Sequence, residues 1–400
     1  MLNKFKENLM LKKVMVTLFY LLLFQIGVNT LLPFINRSVL LKMNPSTLAN
    51  VALLSGASLD SFSILSLGIS PYILSSMAMQ ILGMGILPTV KKWKEEGRSG
   101  RQKIDTMTKG IAIAMAFIQG WSLLYMRNQS YMLLPNNRWQ TYAGLAALLT
   151  IGTMISIWIA GQITSNGIGQ GSSVLILASI STGMFKNFFT GYTVVEEAGQ
   201  NGLLQLGVYL AMWIVLFIVT LIIELLQKPH LIRYNLGTGK DSTTYYNLKL
   251  NNAGIMPLLF ASIATSLIGT LDLGISKWVS YPIMFVIVVL FTYLYTYQSI
   301  DPKELTKDFQ VNHLCFDGIA TRKETIDFLK KRILQLTVLN SIVLLIYMVL
   351  PSIVNTITKM LIGDFVQIGG TTLLVFVSIV IQMYDSLNST RTEQNIEKLF

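Results

Sequence analysis

The sequence predicts an all-α polytopic membrane protein: ten transmembrane helices in two inverted five-helix halves, with N and C termini cytoplasmic. Three observations carry this reading. Hydrophobic residues make up 52% of the 400 and charged residues 13%, with a mean hydropathy of +0.56. A soluble domain carries roughly a quarter charged residues, so this chain is matched to lipid. Apolar runs long enough to cross a bilayer recur along it. The basic residues gather in alternate breaks between those runs.

The runs lie near 14–34, 69–88, 110–126, 141–162, 172–188, 203–226, 252–270, 281–297, 334–353 and 366–386. Their centres are almost free of ionisable side chains; Lys186, Glu224 and Asp385 stand only at span edges. Short alternating strands, the signature of a membrane β-barrel, are not the pattern here. Lys4, Lys6, Lys12 and Lys13 precede the first run. That run is too long for a cleaved leader, and Leu32-Pro33-Phe34 at its end is no small-residue cleavage site, so a first span is expected. With the N-terminus inside, the cytoplasmic pieces 1–13, 89–109, 163–171, 227–251, 298–333 and 387–400 hold 24 of the 31 basic residues. This is the positive-inside asymmetry, and it accounts for the basic excess better than a nucleic-acid partner does. The chain divides at an external stretch into halves 1–188 and 189–400. Five spans per half is odd, so equivalent halves face opposite ways, with a functional path expected where they meet.

The same residues exclude several chemistries. A single cysteine, Cys315, allows no internal disulfide, and the two histidines, His230 and His313, have no second ligand at metal spacing. Ion-coupled transporters place carboxylates, histidines or arginines within their spans, which these spans lack. No phosphate-cradling loop is present, no cofactor is implied, and energy for any transport must come from a partner.

Residues 51–70 mix serines with apolar groups. They are too polar to cross lipid and too apolar for an open loop. A re-entrant half-helix acting as a gate and an interfacial surface helix both satisfy those constraints. The stretch 161–176 carries Gly167, Gly169 and Gly171; no strand precedes them, so a tight turn with close helix packing is expected rather than a nucleotide fingerprint. In the loop 298–333, Asp301-Pro302-Lys303-Glu304 reads as a helix start. Thr321-Arg322-Lys323-Glu324 reads as a second, opening the run Ile326, Phe328, Leu329, Ile333. Solvated connectors and a docking surface are both compatible with these basic loops.

Five segments resemble SecY, the pore subunit of the bacterial protein-translocation channel: Leu67–Leu82 (LGISPYILSSMAMQIL), Glu95–Asp105 (EEGRSGRQKID), Gly161–Ile180 (GQITSNGIGQGSSVLILASI), Asn251–Ile263 (NNAGIMPLLFASI) and Gly369–Gln382 (GGTTLLVFVSIVIQ). They occur in family order over roughly Lys12 to Leu387. The resemblance implies an hourglass pore between the halves, sealed at its waist by aliphatic side chains: Ile73, Met77, Ile176, Leu259 and Val375. It implies a plug at about 51–66, with Leu53, Leu54, Leu59, Phe62 and Ile64 as its apolar residues, and motor docking at Lys228, Arg233, Arg322, Lys323, Lys330 and Lys331. Taken singly, each ring residue would be read as helix packing. The implied setting is the bacterial plasma membrane, with a SecA-type motor ATPase, small SecE- and SecG-like subunits and an unfolded secretory polypeptide as partners. The chain itself is expected to be a passive channel and not an enzyme.

Three features depart from the family pattern. Ala320 follows Gly318-Ile319 where an arginine is usual, Gln25 stands in span one where arginine is common, and the loop 227–250 is short. Ser172 also replaces a common ring isoleucine. These departures make the chain similar to the accessory SecY paralogues of Gram-positive bacteria, which serve a dedicated motor and export serine-rich glycoprotein adhesins. The alternatives are a housekeeping SecY, an inverted-repeat secondary transporter, or an insertion scaffold with no continuous pore.

Overall fold

Apolar runs in lipid leave the backbone only itself as a hydrogen-bond partner, and the chain satisfies this with helices. The computed structural model describes residues 2–33, 63–83, 87–126, 139–183, 202–234, 243–249, 257, 277–316, 319, 321–362 and 370–396. In chain order these are α1 (Leu2–Asn29), α2 (Ser70–Ile81), α3 (Pro88–Glu95), α4 (Arg98–Met126), α5 (Trp139–Asn166), α6 (Gly171–Gly183) and α7 (Gly202–Leu225). Then follow β1 (Gln227–Tyr234), β2 (Thr243–Lys249), α8 (Lys277–Ser299), α9 (Pro302–Val311), β3 (Leu314–Phe316), α10 (Arg322–Ile362) and α11 (Gly370–Ile396). Helices lie over every predicted run, wholly or in part, except 252–270, which falls outside the described residues apart from Pro257. The chain forms two compact units, Met1–Lys186 with Ile379–Phe400, and Asn187–Ser378.

In the first unit, small residues let helices approach. Ala112 and Ala116 on α4 are fully buried, and Gly120 lies against Leu149 of α5. A cluster of Leu32, Leu67, Ala116, Leu124, Tyr142, Leu145, Ala146 and Leu149 forms there. The hydroxyls of Thr150, Thr153 and Ser156 donate to carbonyls one turn back, so these polar side chains sit in an apolar helix without an unmet donor. The outward faces stay apolar and open: Leu11, Met15, Leu18, Leu22 and Ile26 on α1, and Ile151, Met154, Ile155 and Trp158 on α5. In water such a surface would aggregate; against lipid it is the expected solvent-facing side.

The second unit departs from the all-α expectation. β1 and β2 form an antiparallel hairpin from Gln227↔Lys249 to Arg233↔Thr243, and β3 adds to the other edge of β1 through Ile232↔Phe316 and Tyr234↔Leu314, in the order β2-β1-β3. Strands win here because Leu231-Ile232 and Thr243-Thr244-Tyr245-Tyr246 are β-branched and aromatic-rich. The sequence between them carries Gly237 and Gly239, a composition typical of turns. The sheet gains a core from the neighbouring loop: Ile232, Phe316, Phe309 of α9 and Leu329 of α10 are buried together, as are Leu248, Ile300 and Ile333. Two loops read separately in the sequence therefore fold as one.

Both predicted helix starts exist. Asp301 accepts from the Lys303 amide at 2.9 Å ahead of Pro302, and Thr321 accepts weakly from Glu324 at 3.4 Å. The second start, however, opens one continuous helix of 41 residues. No Pro or Gly interrupts it before Pro351, so the loop helix and span nine form a single rod of roughly 60 Å at 1.5 Å per residue.

Candidate functional site

α2 is enclosed on all sides. Pro71, Ile73, Ser75, Met77 and Met79 are buried and the residues between them are half-buried. Pro71 takes the first turn of the helix, where its missing N–H costs nothing. Ile73 is 5% exposed and Met77, one turn on, is fully buried. The Ser75 hydroxyl donates to the Thr108 carbonyl of α4 at 2.5 Å, fixing the rotation of α2 about its axis.

Ile176 is 7% exposed on α6, five residues beyond a glycine turn. In that turn Gly169 adopts φ +72°, a region that costs glycine nothing. A side chain at Gly171 would collide with the Ala160 carbonyl. The Gly171 amide donates to Thr164 at 2.8 Å, and the Ile168 amide donates to Thr17 of α1 at 3.0 Å. Ser172 at the head of α6 lines an open cleft of about 650 Å³, together with Tyr72, Asp105, Lys109, Trp158 and Gln162. Along its lining Lys109 pairs with Asp105, one turn before it on α4, at 2.6 Å; both are about half exposed, and the pair contributes little to stability.

Val375 is fully buried in the part of α11 that belongs to the second unit. Leu259 lies outside the described residues. The structure thus places Ile73, Met77 and Ile176 in one unit and Val375 in the other.

Of the plug residues, Leu53, Leu54, Leu59 and Phe62 lie outside the described residues and Ile64 within them. The segment 63–69 enters α2 through a series of turns pressed into the first unit. The Ile64 amide donates to the Thr30 carbonyl at 2.9 Å, and Ser63 bridges Leu31. Leu65 and Leu67 are 2% and 4% exposed. A Cβ at Gly152 would lie 2.9 Å from the Ile64 carbonyl carbon and nearer still to its oxygen, so α5 touches this segment backbone to backbone. Ser63 and Ser66 are fully buried, and among the described residues neither hydroxyl has a hydrogen-bond partner.

Arg322, Lys323, Lys330 and Lys331 are all exposed along the first turns of α10. Lys228 and Arg233 belong to β1, their backbones paired with Leu248 and with Thr243 and Cys315. Beneath them Tyr246 meets Phe309 edge-on, with ring centroids 5.6 Å apart, and burial pushes its phenol above the ordinary tyrosine value. Among the described residues no cluster of His, Cys, Asp and Glu could hold a metal.

Sequence reasoning missed three supports. One is Thr17, an isolated polar residue in span one. Another is the Ser378 hydroxyl of α11, which donates to Glu224 of α7 at 2.6 Å within the second unit. The third is the hairpin, for which runs of β-formers on either side of Gly237 and Gly239 were the available signal.

Comparison with known proteins agrees with this architecture. The SecY family model matches residues 63–384. The protein translocase subunit SecY of Streptococcus sanguinis is 30% identical over 94% of this chain and 92% of its own length. That of Mycoplasma capricolum is 29% identical over 99% and 92%. Among solved structures, a protein-conducting channel superposes with a TM-score of 0.70 at 18% identity, covering 96% of this chain and 93% of its own. Sec61 in the canine ribosome–channel complex gives 0.63 at the same identity, covering 96% and 93%.

Proposed function

This chain belongs to the SecY family, and from that premise we propose that it forms the pore of a protein-export channel whose waist is Ile73, Met77, Ile176, Leu259 and Val375. Family membership makes it a passive channel subunit, a multi-pass protein of the plasma membrane and not an enzyme. It also sets aside the secondary-transporter reading. The observation that carries the proposal is the family match over 63–384, which takes in all five ring positions. Their chemistry supports it: three of the four described ring residues are β-branched, the fourth is a methionine, and all four are buried. An apolar constriction excludes ions by dewetting, and flexible apolar side chains can close around a polypeptide of any sequence. Ten spans, cytoplasmic termini, halves 1–188 and 189–400, and a plug at 51–66 belong to the same proposal.

The test uses the lone cysteine. With Cys315 replaced by serine, one cysteine is placed at each ring position and a substrate carrying a single cysteine is stalled in transit. Ring positions should form disulfides with it; Leu18 and Ile151, on lipid-exposed faces, should not. Unlinked ring sites beside linked controls would end the proposal.

The partners proposed are a SecA-type motor ATPase docking on the sheet domain, small SecE- and SecG-like subunits, and unfolded secretory polypeptides. The accessory type rests on Ala320, Gln25 and the short loop at 227–250. A general SecY is favoured instead by the names of its relatives, which are translocase subunits without that qualifier. The ATPase that co-purifies in mild detergent decides between them.

A further inference from the structure

The turn that sets α6 is held from outside by a side chain of span one. Thr17 is 5% exposed in the middle of an apolar helix. Its hydroxyl uses its capacity in two directions: the proton goes to the Lys13 carbonyl at 2.8 Å, and a lone pair receives the Ile168 amide at 3.0 Å, across 151 residues of chain. The approach is close. A Cβ at Gly167 would stand 2.5 Å from the Thr17 Oγ1, so glycine is the only residue that fits without displacing one partner.

The turn has no slack elsewhere. Its preceding residue, Gly167, closes α5 through its amide on the Ile163 carbonyl at 2.8 Å. Three residues beyond Ile168, the chain starts α6 with the Gly171 amide on Thr164 and no room for a side chain at Gly171. Between these fixed ends, Ile168 is attached to α1 by that one hydrogen bond. A helix whose first turn is fixed in height and rotation has its sixth residue, here Ile176, fixed as well, because each residue adds a set rise and angle. We infer that Thr17 is a positioning residue for the pore: by holding the Ile168 amide it sets the register at which α6 presents Ile176. This rests on the reading of Ile176 as a waist residue.

Thr17→Val tests the inference because valine keeps the shape and removes both hydrogen-bonding roles, leaving the Ile168 amide unpaired in a half-buried turn. Thr17→Ser keeps the hydroxyl, and Gly167→Ala attacks the same contact from the other side. Hydrogen exchange in lipid nanodiscs should show amides 167–172 opening about tenfold faster in Thr17→Val and in Gly167→Ala, with Thr17→Ser as the parent. In the Cys315→Ser background, Ile176→Cys should link to a stalled substrate, and Thr17→Val should lower that yield several-fold while Thr17→Ser restores it. Parent-like exchange in Thr17→Val overturns the inference. So does linkage at Ile176→Cys that Thr17→Val leaves intact, with the waist assignment standing. If Ile176→Cys fails to link even with Thr17 present, the waist assignment itself falls and the inference falls with it.

Discussion

If 51–66 is the proposed plug, adding one methyl group at Gly152 should loosen the seal of the channel. The position faces the Ile64 carbonyl, whose carbon would lie 2.9 Å from the new Cβ where 3.4–4 Å is ordinary contact, and whose oxygen would be closer. Both sides of the clash are backbone, so no side chain can swing away. The segment must retreat by on the order of 1 Å, and overpacking of this kind costs about 1–3 kcal/mol. The retreat acts on Leu65 and Leu67, buried to 2% and 4% exposure, and on the Ile64–Thr30 hydrogen bond that anchors the segment to the end of α1. Because 63–69 runs directly into α2, the displacement reaches the proposed waist residues Ile73 and Met77. The expected phenotype of Gly152→Ala is a folded protein, a few degrees less stable, that conducts ions in planar bilayers without substrate. Gly144, on the same helix with nothing within 4 Å of its would-be Cβ, is the control: Gly144→Ala should change neither property. Equal, silent behaviour of the two variants would refute the claim that 63–69 is wedged against α5.

Other substitutions probe other parts. Charge reversal at Arg322, Lys323, Lys330 and Lys331 should slow motor association at low salt and matter less as salt rises, which stopped-flow binding would register; an unchanged rate at low salt refutes the docking assignment. Phe316→Ala removes a ring from the core of Ile232, Phe309 and Leu329 and should cost about 3–5 kcal/mol locally, exposing the hairpin to limited proteolysis while the spans stay intact. Ser66→Ala deletes a buried hydroxyl without a partner among the described residues and should stabilise the protein by about 1 kcal/mol in detergent melts; a lower melting temperature would show that the hydroxyl is satisfied.

What the sequence made legible follows from what lipid punishes. A charge in a span is costly enough that Glu224, in the last turn of α7, marks the end of that helix without any structure, whereas Asp385 stands inside α11 and Lys186 lies outside the described residues. The glycines of 161–176 were legible as a tight turn, and Gly169 with φ +72° and Gly171 against Ala160 are why. Thr17 was not legible, because a single threonine in an apolar span looks the same whether its hydroxyl serves only its own helix or reaches a turn 151 residues away. Nor was the shared core of the two loops. Ile232 and Phe316 are each unremarkable alone, and only the pairing of β1 with β3 brings them together. The full length of α10 was concealed by a change of polarity: the start at Thr321 was legible, but the five basic side chains of 322–333 divide its pattern from the apolar run of span nine, although one backbone hydrogen-bond ladder runs through both.

The segment 63–69, which joins the proposed plug to α2, combines two opposed terms. Shape holds it: Leu65 packs on Gly27, Ile64 on Gly152, and Leu67 enters the cluster around Tyr142. Polarity opposes it, since Ser63 and Ser66 are sealed from water with hydroxyls unpartnered among the described residues. An unmet buried hydroxyl costs about 1–3 kcal/mol, and that cost vanishes once water reaches it. A segment seated this way is held by close packing and loosened by hydration. For a gate this has a direct consequence. A small displacement forfeits the packing quickly, because dispersion falls off within an ångström, while each water admitted to Ser63 or Ser66 favours the displaced position. On the proposed reading of this segment as part of a gate, its seated and displaced positions are then both favoured over any intermediate.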